Sequence, residues 1–259
     1  MYNRMDENLK SMMAKGEKIL ITYYPICDPV LGDPVEAAGK YLKAGATVLE
    51  MGLPYENPSL DGRVVRETME RALKEHSVND AFAAVKACRK AYPNANLQIM
   101  TYYEIIDSMG MKEFAKKCFE NGADAVLTPN IPADKVKALD EALNEKGLIQ
   151  LRFAPYTLND AEIKDLKENA HGYIFQQAVN GATGMQEKTD PQVGRNVKIL
   201  KENGIQTPVC AGFGISNAKQ TKEMKDMGAD GIICGSAVCV AAIDGKLEEF
   251  IRSLRAALD

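Results

Sequence analysis

The stretch that decides the fold is Ala44-Gly45-Ala46-Thr47-Val48-Leu49-Glu50-Met51-Gly52. Its apolar centre is typical of a buried parallel strand, and the small residues before it are typical of a helix end. A helix followed by a Gly-Ala step and a strand recurs at 121–123 and at 227–229. We therefore expect each of these glycines to end a helix in the left-handed conformation, and the chain to repeat one helix-strand unit.

Apolar runs and helical runs alternate from end to end, which is the pattern of a parallel sheet. The eight predicted strands are Ile19 to Tyr24, Thr47 to Met51, Leu97 to Tyr102, Ala125 to Thr128, Leu148 to Phe153, Gly172 to Gln176, Pro208 to Gly212 and Gly231 to Cys234. The predicted helices are Pro34 to Ala44, Arg63 to His76, Asn79 to Tyr92, Met111 to Asn121, Ala133 to Lys146, Ala161 to Asn169, Pro191 to Asn203, Asn217 to Met227 and Leu247 to Leu258.

Eight strands with intervening helices predict an α/β fold, a (β/α)8 TIM barrel that forms one domain over residues 1–259. The segment Arg4 to Lys15 precedes the first strand and predicts an extra N-terminal helix that covers the bottom of the barrel. An open doubly wound sheet is the alternative, but no G-x-G-x-x-G motif follows the first strand.

Composition excludes several classes of function. The 259 residues carry a net charge of −4, which disfavours binding to nucleic acid or to an anionic membrane surface. No apolar run approaches the roughly 18 residues of a membrane span, and the polar start is unlike a signal peptide, so we expect a cytoplasmic protein. Six cysteines lack paired-ligand spacing and there are two histidines, which disfavours a metal site or a Ser-His relay.

Two carboxylates follow the second predicted strand. Glu50 lies where the strand emerges from the core, and Asp61 follows on a loop stiffened by Pro54 and Pro58. A partly desolvated carboxyl at a strand end has a tunable pKa, so the pair suits acid/base chemistry. The alternative is structural: Glu50 could form an ion pair and Asp61 could cap the next helix.

Three glycine-bearing turns follow predicted strands six, seven and eight. They contain Gly184, Gly214, and Gly235 with Ser236. In a (β/α)8 barrel these turns share one rim, where backbone N–H groups and a helix N-terminus can hold phosphate. The glycines could otherwise serve only as tight-turn residues.

No lysine stands at the end of a predicted strand, which argues against Schiff-base aldolase chemistry. What remains is carboxylate acid/base chemistry, without a cofactor, on a small phosphorylated substrate.

These residues resemble the α chain of tryptophan synthase, in register from about Lys18 to Val238. The resemblance rests on Asp28-Pro29, Glu50-x-Gly52-x-Pro54, Asp61-Gly62, Gly181-x-Thr183-Gly184, Gly212-Phe213-Gly214-Ile215-Ser216 and Gly235-Ser236-Ala237. It implies retro-aldol cleavage of indole-3-glycerol phosphate to indole and glyceraldehyde 3-phosphate. Glu50 would then protonate indole C3, and Asp61 would accept from the indole N–H. Substrate contacts would come from Tyr23, Tyr102, Leu127, Phe175 and Thr183.

Several positions depart from the family pattern. The family's Ser-Asp before the second proline is Glu56-Asn57 here, and the segment after Asp61-Gly62 is Arg63-Val64-Val65-Arg66. Other departures are Glu104, Asn130, Phe175 in place of an active-site tyrosine, and Val179 in place of the arginine of the sixth loop. They predict weak binding of a tryptophan synthase β chain.

Two further functions stay open at this point. A diverged paralogue could use the same carboxylate pair on another phosphorylated substrate, where Arg63 and Arg66 could bind a second anionic group or could equally be helix-surface charges. Alternatively, the chain could be a non-catalytic subunit that activates a partner.

Overall fold

The computed structural model describes residues 3–178, 189–212 and 214–259. Within these ranges the chain forms nine strands: β1 (Ile19–Pro25), β2 (Val48–Gly52), β3 (Asn96–Met100), β4 (Ala125–Leu127), β5 (Ile149–Gln150), β6 (Arg152–Ala154), β7 (Ile174–Gln177), β8 (Val209–Gly212) and β9 (Gly231–Cys234). The same ranges hold twelve α-helices: α1 (Arg4–Ala14), α2 (Pro34–Lys43), α3 (Arg63–Leu73), α4 (Val78–Ala91), α5 (Tyr103–Met109), α6 (Met111–Glu120), α7 (Val136–Asn144), α8 (Asp160–Asn169), α9 (Gln192–Glu202), α10 (Ala218–Asp226), α11 (Ser236–Ile243) and α12 (Leu247–Leu258).

All the strand pairings are parallel, in the order β5-β4-β3-β2-β1-β9-β8-β7-β6. Only Leu151 separates β5 from β6, so the two ends of this order are consecutive pieces of one barrel strand. β5 pairs with β4 and β6 pairs with β7. The shift between these two pairing segments is expected, because the strands of a closed barrel are tilted and staggered relative to one another. The predicted (β/α)8 barrel is confirmed, with the fifth strand in two segments.

Two apolar layers hold the barrel together, because successive side chains of a strand point to opposite faces. Residues such as Leu49 and Met51 face outward and pack with the surrounding helices. Residues such as Ile19, Ile21 and Val48 face inward and fill the lower barrel. Glu50 follows this alternation, which directs its carboxyl to the barrel interior.

Helix α1 covers the N-terminal end of the barrel, as predicted. Met5 and Leu9 are fully buried and belong to the interior cluster of the barrel. The Asn3 side-chain amide donates to the backbone carbonyl of Asp124 over 2.8 Å, just before β4. This end is therefore sealed, and the opposite end is the one available to a ligand.

The repeated Gly-Ala steps have the predicted conformation. Gly45, Gly122 and Gly228 have φ of 110°, 82° and 93°. These left-handed values favour glycine, and each residue ends a helix before the next strand.

Two helices, α5 and α11, are absent from the predicted helix ranges, although a helix N-terminus was expected at the rim where α11 begins. α5 has only seven residues, which is too short for a clear helical period. α11 has the sequence SAVCVAAI, which is apolar on nearly all faces and so lacks the polar stripe that periodicity detects. No helix in the described ranges is long and apolar enough to cross a membrane.

Candidate active site

One cavity of about 310 Å³ opens at the C-terminal ends of the strands. The residues that line it come from strand ends and the loops that follow them: Tyr23, Glu50, Leu60, Asp61, Val65, Met100, Leu127, Pro129, Phe153, Phe175, Gln177, Gly214, Ile215, Ile233, Gly235 and Ser236. Glu50 and Asp61 are the two carboxyl groups of this set, and it contains no Lys, Arg or His in the described part of the chain. The cavity therefore combines a mostly apolar wall with two acidic groups.

Glu50 is held in an apolar setting near the floor of the cavity, with 5% of its surface exposed. The Gln98 amide nitrogen donates to its carboxyl oxygen Oε1 over 3.0 Å. Burial and, to a smaller extent, the nearby Asp61 charge raise the Glu50 pKa to about 8, with the Gln98 hydrogen bond acting in the opposite direction. At neutral pH the carboxyl is thus mostly protonated and can act as an acid.

Asp61 lies on the loop between β2 and α3 and is also 5% exposed. The Tyr102 hydroxyl donates to Asp61 Oδ2 over 2.7 Å and accepts from the Leu60 N–H over 3.1 Å. Tyr55 stacks on the Tyr102 ring with centroids 5.1 Å apart. Tyr102 is not among the residues that line the cavity. Its hydroxyl holds the loop that carries Asp61, and the contact with the substrate ring that the resemblance implies stays a prediction.

An aromatic pair forms one wall of the cavity. The rings of Phe153 and Phe175 stack with centroids 4.4 Å apart and an interplanar angle of 16°. A Cβ at Gly212 would collide with the Phe175 ring, so a glycine is needed where this ring lies over β8. With Leu127 and Tyr23, the pair makes a flat apolar surface suited to an aromatic ring.

The glycine-bearing rim lies on the same cavity. Gly214, Gly235 and Ser236 line it, and Gly214 has φ of 83°. Ser236 begins α11, and no described side chain caps this helix by a hydrogen bond. An uncapped helix N-terminus presents backbone N–H groups and favours an anion. Thr183, Gly184 and Val179 lie outside the described residues.

Arg63 and Arg66 are exposed on α3 and do not line the cavity. Arg63 pairs instead with Glu67 over 2.9 Å on the helix surface. The hypothesis that these two cations bind a second anionic group of the ligand therefore finds no support in their placement.

Two residues beside Glu50 escaped sequence reasoning. Gln98 and Tyr173 are fully buried inside the barrel, and the Tyr173 hydroxyl donates to Gln98 Oε1 over 2.6 Å. The sequence signal for this pair was Gln98 itself, a glutamine in the middle of an apolar strand, because a buried polar group needs hydrogen-bond partners. Phe153 was missed because one aromatic residue at a strand end is common.

The fold and the site define a (β/α)8-barrel protein in which two carboxyl groups, an aromatic wall and an open helix N-terminus face one cavity. This arrangement suits acid/base chemistry on a substrate with an apolar ring and an anionic end. The family model described as tryptophan synthase alpha chain matches residues 9–257. The chain therefore belongs to the tryptophan synthase alpha chain family, which is a family of lyases.

Individual relatives agree with this assignment. The tryptophan synthase alpha chain of Methanocaldococcus jannaschii is 31% identical over 251 residues, which cover 96% of this chain and 88% of that protein. The crystal structure of tryptophan synthase subunit alpha from Legionella pneumophila superposes with a TM-score of 0.88 at 26% identity, covering 100% of this chain and 99% of that one. A structure from Aquifex aeolicus gives a TM-score of 0.89 at 25% identity, covering 99% of both chains.

Proposed function

We propose that this protein cleaves indole-3-glycerol phosphate to indole and glyceraldehyde 3-phosphate in tryptophan biosynthesis. The observation that carries the proposal is the position of Glu50, a carboxyl with a pKa of about 8 facing the same cavity as Asp61. A buried acid and a second carboxylate at one apolar cavity divide the roles of proton donor and charge stabiliser.

Glu50 acts first as an acid in this mechanism. It donates its proton to indole C3, and the ring nitrogen takes up the resulting positive charge. Asp61 accepts a hydrogen bond from the indole N–H and stabilises that charge. The Tyr102 hydroxyl keeps the Asp61 carboxylate aimed at the cavity through its 2.7 Å hydrogen bond.

Glu50 then acts as a base. Its carboxylate removes the proton from the glycerol hydroxyl next to the ring, and that oxygen forms the aldehyde carbonyl as the carbon-carbon bond breaks. The bonding electrons return to the ring and neutralise the charged nitrogen. Proton transfers alone balance the reaction, so the proposed chemistry is that of a cofactor-independent carbon-carbon lyase.

The substrate orientation follows from the two ends of the cavity. The indole ring would lie against Phe153, Phe175, Leu127 and Tyr23, which offer apolar surface. The phosphate would lie at the rim where α11 begins, held by backbone N–H groups near Gly235 and by the Ser236 hydroxyl. Thr183 and Gly184 complete the proposed substrate and phosphate contacts. Because phosphorylated metabolites do not cross membranes readily, we place the enzyme in the cytoplasm.

Incubating the purified protein with indole-3-glycerol phosphate tests the proposal. Indole and glyceraldehyde 3-phosphate should appear in equal amounts, and Glu50→Gln should reduce the rate by about 10² or more. A folded protein that binds phosphate but cleaves none of this substrate would contradict the proposal and favour a diverged paralogue.

We further propose that the protein binds a standard tryptophan synthase β chain weakly and with little mutual activation. Asn57 and Glu104 are the departures from family residues tied to that contact, and both are exposed. Asn130 is another departure from the family pattern, and its side-chain amide donates to Glu104 over 2.9 Å. Two of the changed residues are therefore in direct contact. Charge changes at an interface alter its specificity and association rate.

Titrating the protein with a standard β chain tests this second proposal. Submicromolar binding with strong stimulation of both reactions would contradict it. Glu104→Gln restores an amide at the changed position and should strengthen binding, whereas the same change at Glu75, an exposed residue in the turn after α3, should not.

A further inference from the structure

Glu50 and Gln98 occupy paired positions on neighbouring strands. In the parallel register of β2 and β3, Glu50 stands opposite Gln98. Side chains at matched positions of adjacent strands point to the same face, so both enter the barrel interior. This register, rather than a flexible loop, brings the Gln98 amide to the carboxyl.

Tyr173 extends the contact by a second hydrogen bond. Its ring is fully buried at the base of β7, and its hydroxyl donates to Gln98 Oε1 over 2.6 Å. With its carbonyl side engaged by that hydroxyl, the Gln98 amide directs its N–H groups at Glu50. The resulting chain runs from the Tyr173 hydroxyl through Gln98 to Glu50 Oε1.

We infer that Gln98 and Tyr173 form a positioning relay for Glu50, and this inference rests on the proposed function of Glu50. The relay holds Oε1 of the carboxyl and leaves Oε2 as the oxygen that exchanges a proton with the substrate. Phe175 stands where the family pattern has a tyrosine, and its ring has no hydroxyl group that could donate to Glu50. Within the described ranges, Gln98 is the hydrogen-bond donor to this carboxyl.

The relay also limits how strongly Glu50 favours its protonated form. Burial and Asp61 both raise the Glu50 pKa, whereas the Gln98 N–H stabilises the ionised form. The other titratable groups facing Glu50 are Tyr23 from β1 and Tyr173 just before β7, and burial raises the pKa of both hydroxyls well above the usual value. They therefore stay neutral while Glu50 titrates.

The test titrates Glu50 directly and needs no substrate. In protein labelled with ¹³C at the glutamate carboxyl, the Glu50 resonance is assigned by its loss in Glu50→Gln. Gln98→Met removes the donor at similar volume and should move the Glu50 midpoint upward by about 1 pH unit or more. Tyr173→Phe should move it in the same direction by less, because the amide stays but loses its orienting partner.

Gln150→Met is the matched control. Gln150 is also a buried glutamine on a barrel strand, but it does not line the cavity. Its substitution should leave the Glu50 midpoint unchanged even if it lowers stability. In Gln98→Met, adding Tyr173→Phe should shift the midpoint no further, because the intermediate amide is gone.

An unchanged midpoint in Gln98→Met would overturn the relay, and an unchanged midpoint in Tyr173→Phe would remove Tyr173 from it. Kinetics on indole-3-glycerol phosphate give a second readout, in which Gln98→Met should lower kcat, leave KM nearly unchanged and shift the alkaline limb upward. Shifted midpoints in a protein without lyase activity would support the relay and contradict the proposed function. Failure of the relay and failure of the proposed function therefore give different results.

Discussion

Replacing Glu50 by Gln should stabilise the protein, and the gain should grow as the pH rises from 5 to 9. Glu50 has a pKa near 4.5 in the unfolded chain and about 8 in the folded protein, because burial disfavours its charge. Since one pH unit corresponds to about 1.4 kcal/mol, the difference corresponds to about 5 kcal/mol. The side chain is nearly fully buried, so solvent screens little of this effect.

The sign follows from proton uptake. Between pH 4.5 and about 8 the unfolded carboxyl is ionised while the folded one keeps its proton. Unfolding therefore releases a proton, and rising pH lowers the free energy of unfolding until the folded carboxyl ionises as well. Glutamine at this position resembles the protonated carboxyl, can still accept from Gln98, and lacks this dependence.

Urea unfolding followed by circular dichroism at several pH values between 5 and 9 measures the effect. The free energies of unfolding of Glu50→Gln and wild type should diverge by about 4 kcal/mol between the ends of this range, because about 1 kcal/mol of the difference is already present at pH 5. Glu56→Gln is the control, because Glu56 is an exposed carboxylate on the loop that follows β2. A difference between Glu50→Gln and wild type that stays constant from pH 5 to 9 would refute the assignment of a buried, protonated Glu50.

Three further predictions concern the rest of the cavity. Asp61→Asn keeps a hydrogen-bond acceptor for Tyr102 but removes the charge, so kcat on indole-3-glycerol phosphate should fall by about 10² with folding intact. Near wild-type turnover would exclude a role for the charge. Gly212→Ala forces the Phe175 ring aside, so the free energy of unfolding measured in urea should fall by about 1–3 kcal/mol and KM should rise. Unchanged values would mean that the ring moves freely. Millimolar inorganic phosphate should raise the Tm of wild type more than that of Ser236→Ala; equal shifts would place the anion elsewhere.

Much of the fold follows from local pattern. The Gly-Ala steps mark helix ends because their glycines need positive φ, and apolar runs between helices specify parallel strands. Glu50 was found because a carboxylate at the end of an apolar run is costly to bury and so points to function. The division of the fifth strand could not be predicted, since it depends on the stagger of the whole barrel.

Side-chain pairings across strands are the part that sequence could not give. The contact of Gln98 with Glu50 depends on the register of β2 with β3, and Tyr173 joins them from 75 residues further along the chain. The hydrogen bond from the Tyr102 hydroxyl to Asp61 likewise depends on how the loop after β2 lies against the end of β3. Sequence left Arg63 and Arg66 open between ligand binding and the helix surface, and the structure places both on the exposed surface of α3, outside the cavity lining.

The central claim is that Glu50 and Asp61 act on the indole ring of indole-3-glycerol phosphate. A crystal structure of the Glu50→Gln variant with this substrate tests it most directly, because the slowed reaction should leave the substrate intact. We expect the phosphate at Gly214, Gly235 and Ser236, indole C3 beside position 50, and the indole nitrogen within hydrogen-bond distance of Asp61. A phosphate at another rim, or an indole ring that lies away from both carboxyl positions, would contradict the account.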